Sequence, residues 1–342
     1  MQLPRATEGL PSGRDLPAID RWALPELFLT AVRTMTATEY LATARIPADH
    51  PYYTDRLPDM GRAGGIDPLL LLECCRQAGP YGGRELLELE PDGRFLLESC
   101  TLALPGILSA GRTEGPADLA LAVTAQGRPG AGTARRITYT CDMTLPAGRL
   151  GTAALRVRHL SRDLYDGLRP PRARRPTVRP GAPVEAATPV APHLVGRTRP
   201  ANVVLTQVSL RQGRAHARLR VPSGNPGLFD PVHDHIPAMT LLEAARQLSL
   251  FTAAETWGAL PHRTAVAGYD FAFHRFVEPH TPVTVRLSAY EPAEQDGALG
   301  THLPQLRCFR VVFEQNDTVA AEGRTQLTTV ASPALVPGGD PS

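Results

Sequence analysis

Two seven-residue stretches of the chain, "LLECCRQ" at 71–77 and "LLEAARQ" at 241–247, share five residues. Glu73 and Glu243 lie 170 positions apart (243 − 73 = 170), and the pairs Arg76/Arg246 and Gln77/Gln247 keep that spacing. Upstream, "IPADHPYYTD" (46–55) and "VPSGNPGLFD" (221–230) share two prolines and a final aspartate at an offset of 175 (230 − 55 = 175). Further back, "LFLT" (27–30) echoes "VVLT" (203–206). Three matches in one order describe a duplication, so the chain must fold as two like units. Its 342 residues suit two domains of ordinary size. The change of offset places five extra residues in the first copy, within the loop "RLPDMGRAGG".

Each copy reads as one strand, a turn-rich loop, one helix and then several strands. In the first copy the later strands are "FLLESCTLAL", "DLALAVTAQ", "RRITYTCDMTL" and "TAALRVRHL". In the second they are "TAVAGYDFAFHRFV", "PVTVRLSAY", "LRCFRVVFEQ" and "GRTQLTTV", the last two joined through "NDTVAAEG" as a hairpin. Period-two alternation puts Val283, Val285, Leu287 and Ala289 on one side of their strand. One helix among many antiparallel strands predicts an α+β fold with the helix packed on the sheet. Residues 21–165 and 197–331 form the two domains in this reading. The Pro- and Arg-rich segment 166–196 is expected to be a mobile, partly extended linker. Residues 1–20 and 332–342 are expected to be disordered.

Composition removes several function classes. A net charge of +2 argues against a dedicated nucleic-acid binder. Five cysteines without a CxxC point away from disulfides and zinc, and toward a reducing cytosol. The N-terminus has no apolar core of a signal peptide, and no apolar run nears the roughly 20 residues of a membrane span.

The helices carry the candidate chemistry. Asp67–Pro68 reads as an N-cap followed by a first-turn proline, and Pro237 starts the second helix. Glu243, Arg246 and Gln247 form a polar stripe, as do Glu73, Arg76 and Gln77. On a solvated face, Glu-x-x-Arg is an ordinary ion pair worth a few tenths of a kcal/mol. On a helix wrapped by a sheet, such a stripe is costly unless it lines a pocket. The adjacent Cys74 and Cys75 suit core packing. The "HDH" of 233–235 lacks a third distant partner, so no metal is expected.

"IDPLLLLECCRQA" and "FDPVHDHIPAMTLLEAARQ" resemble the paired signatures of the A-factor-type γ-butyrolactone biosynthesis proteins. The resemblance runs from about Arg21 to Val330, the linker excepted. It implies two tandem hotdog domains, each a long helix wrapped by antiparallel sheet, joined as a pseudo-dimer within one chain. It also implies acyl transfer without cofactor or metal. A β-ketoacyl group would pass from an acyl-carrier-protein or CoA thioester to a hydroxyl of dihydroxyacetone phosphate or a similar small acceptor. The expected setting is the cytoplasm, with neither nucleic acid nor membrane as partner; self-association stays open.

Such transfer needs a base, which Glu243 or Glu73 can supply if burial raises its pKa. It also needs oxyanion donors, for which the first-turn N–H groups near Ala238, Met239 and Thr240 are placed. Arg246, or Arg76 in the first copy, can bind a phosphate or steady a carboxylate. The resemblance favours Glu73, Glu243 and Arg246 as catalytic. Arg76, Gln77, Asp234, His235, Ala238, Met239, Thr240 and Gln247 are the expected substrate-binding residues. The family's usual glycine after Pro237 is Ala238 here, which bears on the fit of the substrate.

Two rivals remain at this stage. A hotdog dehydratase, or a related lyase or cyclase, uses a histidine about eight residues before the helix-starting proline. That position is Phe229 here, and Tyr53 fills it in the first copy. The other rival is a non-catalytic acyl-binding module.

Overall fold

The computed structural model describes residues 26–57, 65–87, 93–109, 115–128, 135–169, 187–222, 224–229, 234–291, 303 and 306–329. The first half comprises β1 (Leu29–Thr34), β2 (Glu39–Ile46), α1 (Pro68–Leu87), β3 (Arg94–Ala103), β4 (Ala117–Arg128), β5 (Arg135–Leu145) and β6 (Gly148–Leu160). A short helix, α2 (Arg162–Leu168), follows. The second half comprises β7 (Leu205–Arg211), β8 (Arg214–Leu219), α3 (Ala238–Trp257), β9 (Thr264–Phe273), β10 (Thr284–Tyr290), β11 (Arg307–Gln315) and β12 (Thr318–Thr329). Thus β3 and β9, at 94–103 and 264–273, keep the 170-residue spacing read from the sequence.

All the strands join in one sheet, ordered β1-β2-β4-β5-β6-β3-β9-β12-β11-β10-β8-β7. The order of the second half mirrors that of the first. The halves meet where β3 pairs antiparallel with β9, from Ser99↔Ala272 to Ala103↔Gly268. Each half therefore covers the sheet edge that the other would expose. Helix α1 packs on β1, β2, β4 and β6, helix α3 on β7, β8 and β9 to β12, and the helices touch each other. This is the tandem hotdog, joined as an intrachain pseudo-dimer.

Alternation builds the core. Ile137, Tyr139, Cys141, Met143 and Leu145 of β5 all point inward, each buried apolar side chain contributing about 1.5–3 kcal/mol. The helices are enclosed on nearly every side. Leu69 to Cys75 and Met239 to Leu250 are buried throughout, polar residues included. All five cysteines are buried and none is in a disulfide, and burial pushes the Cys100 thiol up to about 12. Among the described residues no helix is long and apolar enough to cross a membrane.

The architecture departs from the sequence reading in three places. Each helix is preceded by a hairpin, β1–β2 or β7–β8, rather than one strand. The turn within "NDTVAAEG" is only Asn316–Asp317, both in the left-handed region (φ 52° and 55°), which suits a two-residue hairpin. The expected mobile linker is anchored at both ends. Arg169 is 2% exposed at the end of α2, and Val195, closing the short turn Pro192–Val195, is buried, as is Arg197. The middle of that linker, both termini, most of the loop "RLPDMGRAGG", Asp230 and His233 lie outside the described residues.

Candidate active site

Two cavities lie between the halves, related by the 170-residue spacing. The first, of about 320 Å³, opens at the start of α3: Pro237, Ala238, Met239 and Leu241 line it with Arg76 and Pro80 of α1 and residues 95–98 of β3. The second, of about 460 Å³, opens at the start of α1: Asp67, Pro68 and Leu70 line it with Arg246 and Leu250 of α3 and residues 264–266 of β9. Each cavity thus takes a helix start from one half and an arginine from the other.

At the first cavity the helix start is open. Pro237 is the N-cap, with φ −63° and ψ 148° and no side-chain cap. Thr240 N–H donates to the Pro237 carbonyl at 3.0 Å. The N–H groups of Ala238 and Met239 find no acceptor among the described residues, as expected of first-turn donors without a cap. They and the helix dipole favour negative charge here.

Beside this helix start stands an Asp–His pair. His235 lines the cavity, and its Nδ1 lies 2.7 Å from Asp234 Oδ1. Tyr165 Oη donates to that same oxygen at 2.8 Å, and Arg169 Nε donates to Asp234 Oδ2 at 3.0 Å. Burial pushes the Asp234 carboxyl up, but His235, Tyr165 and Arg169 outweigh it and hold it at about 2. An ionised carboxylate only accepts, so Nδ1 carries the hydrogen in this contact. Arg76 supplies a cation. It is fastened to the fully buried Glu73 by Nε to Oε2 at 2.7 Å and Nη2 to Oε1 at 2.9 Å. The rest of the wall combines Phe95, Leu97, Val157, Phe273, Phe276 and Val277 with the polar Glu98, Arg158, His274 and Arg275.

At the second cavity the equivalent groups are closed off. Pro68 has no N–H, and Leu69 N–H donates to Asp67 Oδ1 at 2.8 Å. Arg246 Nη1 forks across both Asp67 oxygens at 2.8 Å each, and its Nη2 lies 2.5 Å from Glu243 Oε2. Burial pushes Asp67 up, but Arg246 and Arg197 outweigh it and hold it below the usual carboxylate range. Glu243 Oε1 accepts from Arg197 Nε at 3.0 Å and Nη2 at 2.8 Å. Arg197 Nη1 continues to the carbonyls of Tyr52 and Asp55. Gly65 stands where His235 stands in the other copy (235 − 170 = 65).

The site expected from one helix is therefore divided between two cavities. Glu243 and Arg246 do not line the cavity of Ala238 and Met239: from Ala238 to Glu243 five residues turn the helix by about 140° beyond a full revolution, and Arg246 reaches Asp67 at the second cavity. Ala238 and Met239 instead meet Arg76 and His235. Neither Glu73 nor Glu243 lines either of these two cavities; each lies behind its arginine.

Four substrate contacts take another form. The Thr240 hydroxyl donates to the Leu228 carbonyl, and its N–H is bonded within the first turn. The Gln77 side-chain carbonyl accepts from Phe28 and Leu29 N–H, while its amide donates to the Glu26 carbonyl and Glu73. Gln247 repeats this with Val204 N–H, the Asn202 carbonyl and Glu243. Both glutamines tie their helix to the first strand region. Asp234 stands behind His235 rather than on the wall.

Sequence reasoning missed Arg197, Tyr165 and Arg169, and saw Asp67 only as a cap. Their partners lie 46 to 179 residues away along the chain, and only the fold brings them together. Phe229 and Tyr53, at the dehydratase histidine positions, are both buried.

Comparison with known proteins places this geometry in context. Residues 21–160 and 180–331 match the family described as the A-factor biosynthesis hotdog domain. A 2-oxo-3-(phosphooxy)propyl 3-oxoalkanoate synthase of Streptomyces virginiae is 32% identical over 234 residues, 67% of this chain and 73% of that protein. The synthase of the same name from Streptomyces coelicolor is 27% identical over 354 residues, 97% of this chain and 99% of that protein. Among solved structures, a polyketide synthase dehydratase domain from Brevibacillus brevis covers 90% of this chain and 98% of its own, with TM-score 0.48 and 14% identity. A putative thioesterase from Novosphingobium aromaticivorans covers 90% and 100%, with TM-score 0.49 and 13% identity.

Proposed function

This chain belongs to the A-factor biosynthesis hotdog family, and from that premise we propose that it is an acyltransferase working in the cavity at the start of α3. The donor is a β-ketoacyl thioester of a carrier protein or CoA, and the acceptor is a hydroxyl of dihydroxyacetone phosphate or a close analogue. The relatives' name describes such a product: a 3-oxoalkanoate ester of a phosphorylated hydroxyketone. One observation carries the assignment of the site. The uncapped N–H groups of Ala238 and Met239 open onto a cavity with an apolar side that also holds His235 and Arg76.

In this reading the acyl chain lies along the apolar wall, with its thioester oxygen at the helix start. His235 Nε2 takes the proton of the acceptor hydroxyl as its oxygen attacks the acyl carbon. The tetrahedral oxyanion is met by the Ala238 and Met239 N–H groups. Collapse breaks the C–S bond, and the proton held by His235 passes to the departing sulfur. Asp234 keeps His235 in the required tautomer, as orienting carboxylates do. Arg76, steadied by Glu73, attracts the acceptor's phosphate. Glu243, Arg246, Asp67 and Arg197 clamp the two halves together. Ala238 puts a methyl group at the wall where the family has glycine, which narrows the space beside the reacting carbonyl.

The test is a reconstitution with β-ketoacyl carrier protein and dihydroxyacetone phosphate, following thioester loss and ester mass. The expected result is thioester consumption that depends on the acceptor and is abolished in His235→Ala. Water loss without acceptor would identify a lyase, and binding without turnover a sensor.

A further inference from the structure

The connector between the halves enters the first cavity's surroundings. Ser161 caps α2, its hydroxyl accepting Leu164 N–H at 3.3 Å. That turn brings Tyr165 inward and sets Arg169 at the helix end, where the guanidinium is 1% exposed. Arg169 then makes contacts that only a planar fork can make at once. Nε reaches Asp234 Oδ2 at 3.0 Å, Nη2 the Asp234 carbonyl at 2.8 Å, and Nη1 Glu278 Oε1 at 2.5 Å. Its face covers the Phe276 ring at 4.5 Å. The same ring meets His235 edge-on at 5.0 Å and Tyr165 at 5.9 Å. The imidazole is thus fixed from two directions, by Asp234 at Nδ1 and by Phe276 on its ring.

We infer that Tyr165 and Arg169 are positioning residues for the Asp234–His235 pair, so that the connector leaving the first half completes the site of the second. Asp234 lies ahead of the helix and outside any helix or strand, where backbone hydrogen bonding alone does not fix a carboxylate. The contacts from Tyr165 and Arg169 hold both of its oxygens, and Ile236 N–H to the Val277 carbonyl at 2.8 Å pins the residue after His235. Glu278 balances the charge of Arg169, so the buried guanidinium stays paired on both sides. Neither residue lines the wall beside the reacting groups; they act through Asp234. The duplication supplies no counterpart, because Gly64 and Gly65 occupy the positions equivalent to Asp234 and His235.

The inference rests on the reading of His235 as the base, and the experiment separates the two. The variants are Tyr165→Phe, which removes one hydroxyl, and Arg169→Gln, which removes the fork. In the ligand-free protein, proton NMR reads the downfield Nδ1–H signal of His235 hydrogen-bonded to Asp234. This signal should be sharp in the parent and broadened or lost in both variants. In the transfer assay kcat should fall roughly ten- to a hundredfold, the cost of a displaced catalytic group. The acceptor KM should stay within about threefold, because Arg76 is untouched. An unchanged signal with unchanged kcat in Tyr165→Phe overturns the inference, even if Arg169→Gln fails to fold. Full activity in His235→Ala would instead sink the base assignment while leaving the NMR result to judge the connector.

Discussion

Replacing Ala238 with proline removes one N–H from the start of α3 and adds two ring carbons at the cavity wall. The residue is the first of the helix, where proline's fixed φ is accommodated. The preceding Pro237 already has φ −63° and ψ 148°, the extended conformation that a following proline demands. Ala238 N–H makes no hydrogen bond among the described residues, so none is lost on folding. The variant should melt at the parent temperature or slightly above, since proline at a compatible site stabilises by about 0.4–1 kcal/mol. Turnover should behave otherwise. In the proposed site two donors serve the oxyanion, and removal of one such donor costs roughly 10²–10³ in kcat, about 2.7–4 kcal/mol. The assay is acceptor-dependent ester formation at saturating donor, with circular dichroism to confirm the fold. The mirror substitution, Pro68→Ala at the second cavity, should leave kcat within about twofold. A well-folded Ala238→Pro enzyme with kcat within threefold of the parent would refute the placement of the oxyanion at this helix start.

Three further outcomes follow from the same geometry. Arg246→Met leaves Asp67 and Glu243 buried with a cation removed, and should destabilise the fold by about 3–5 kcal/mol in urea titrations; a change in kcat without a change in stability would contradict the clamp. Gln247→Leu strands the buried N–H of Val204, and Gln77→Leu those of Phe28 and Leu29. Each should cost about 1–3 kcal/mol by thermal melting, with acceptor KM unchanged. For Asp234 the folded-state pKa, at about 2, is depressed from 3.8, so its stabilisation is complete above the unfolded value and fades as pH falls toward 2. Asp234→Asn should therefore lower stability at pH 7 by roughly 2 kcal/mol, and the gap to the parent should close between about pH 4 and 2.

Much of the fold was legible because the duplication is written in its helices. The polar triplets at 73–77 and 243–247 are conspicuous since a buried helix carries few such residues, and β3 and β9 hold the same spacing to the residue. The second strand of each hairpin was harder to read. "EYLATARI" and "RAHARL" alternate, but alanines fill many inward positions, and small side chains give a weak periodic signal. The candidate site was legible in parts and misassembled. Helical geometry alone separates Glu243 from Ala238, yet recognising that Arg76 meets Ala238 requires the pseudo-twofold pairing of β3 with β9. The glutamines resembled pocket residues because their partners are backbone groups of a strand more than 40 residues away. Arg169 was hidden by its neighbourhood. Pro, Arg and Ala in quantity suggest a spacer, and composition does not single out one anchored arginine among several.

Acyl transfer is proposed for one of two related cavities. Its most direct test is the structure of the protein with a non-hydrolysable β-ketoacyl thioester analogue. The prediction is one analogue per chain at the start of α3, its carbonyl oxygen within hydrogen-bond distance of Ala238 or Met239 N–H and its carbonyl carbon facing His235. An analogue bound instead at the start of α1, against Asp67 and Arg246, would contradict it.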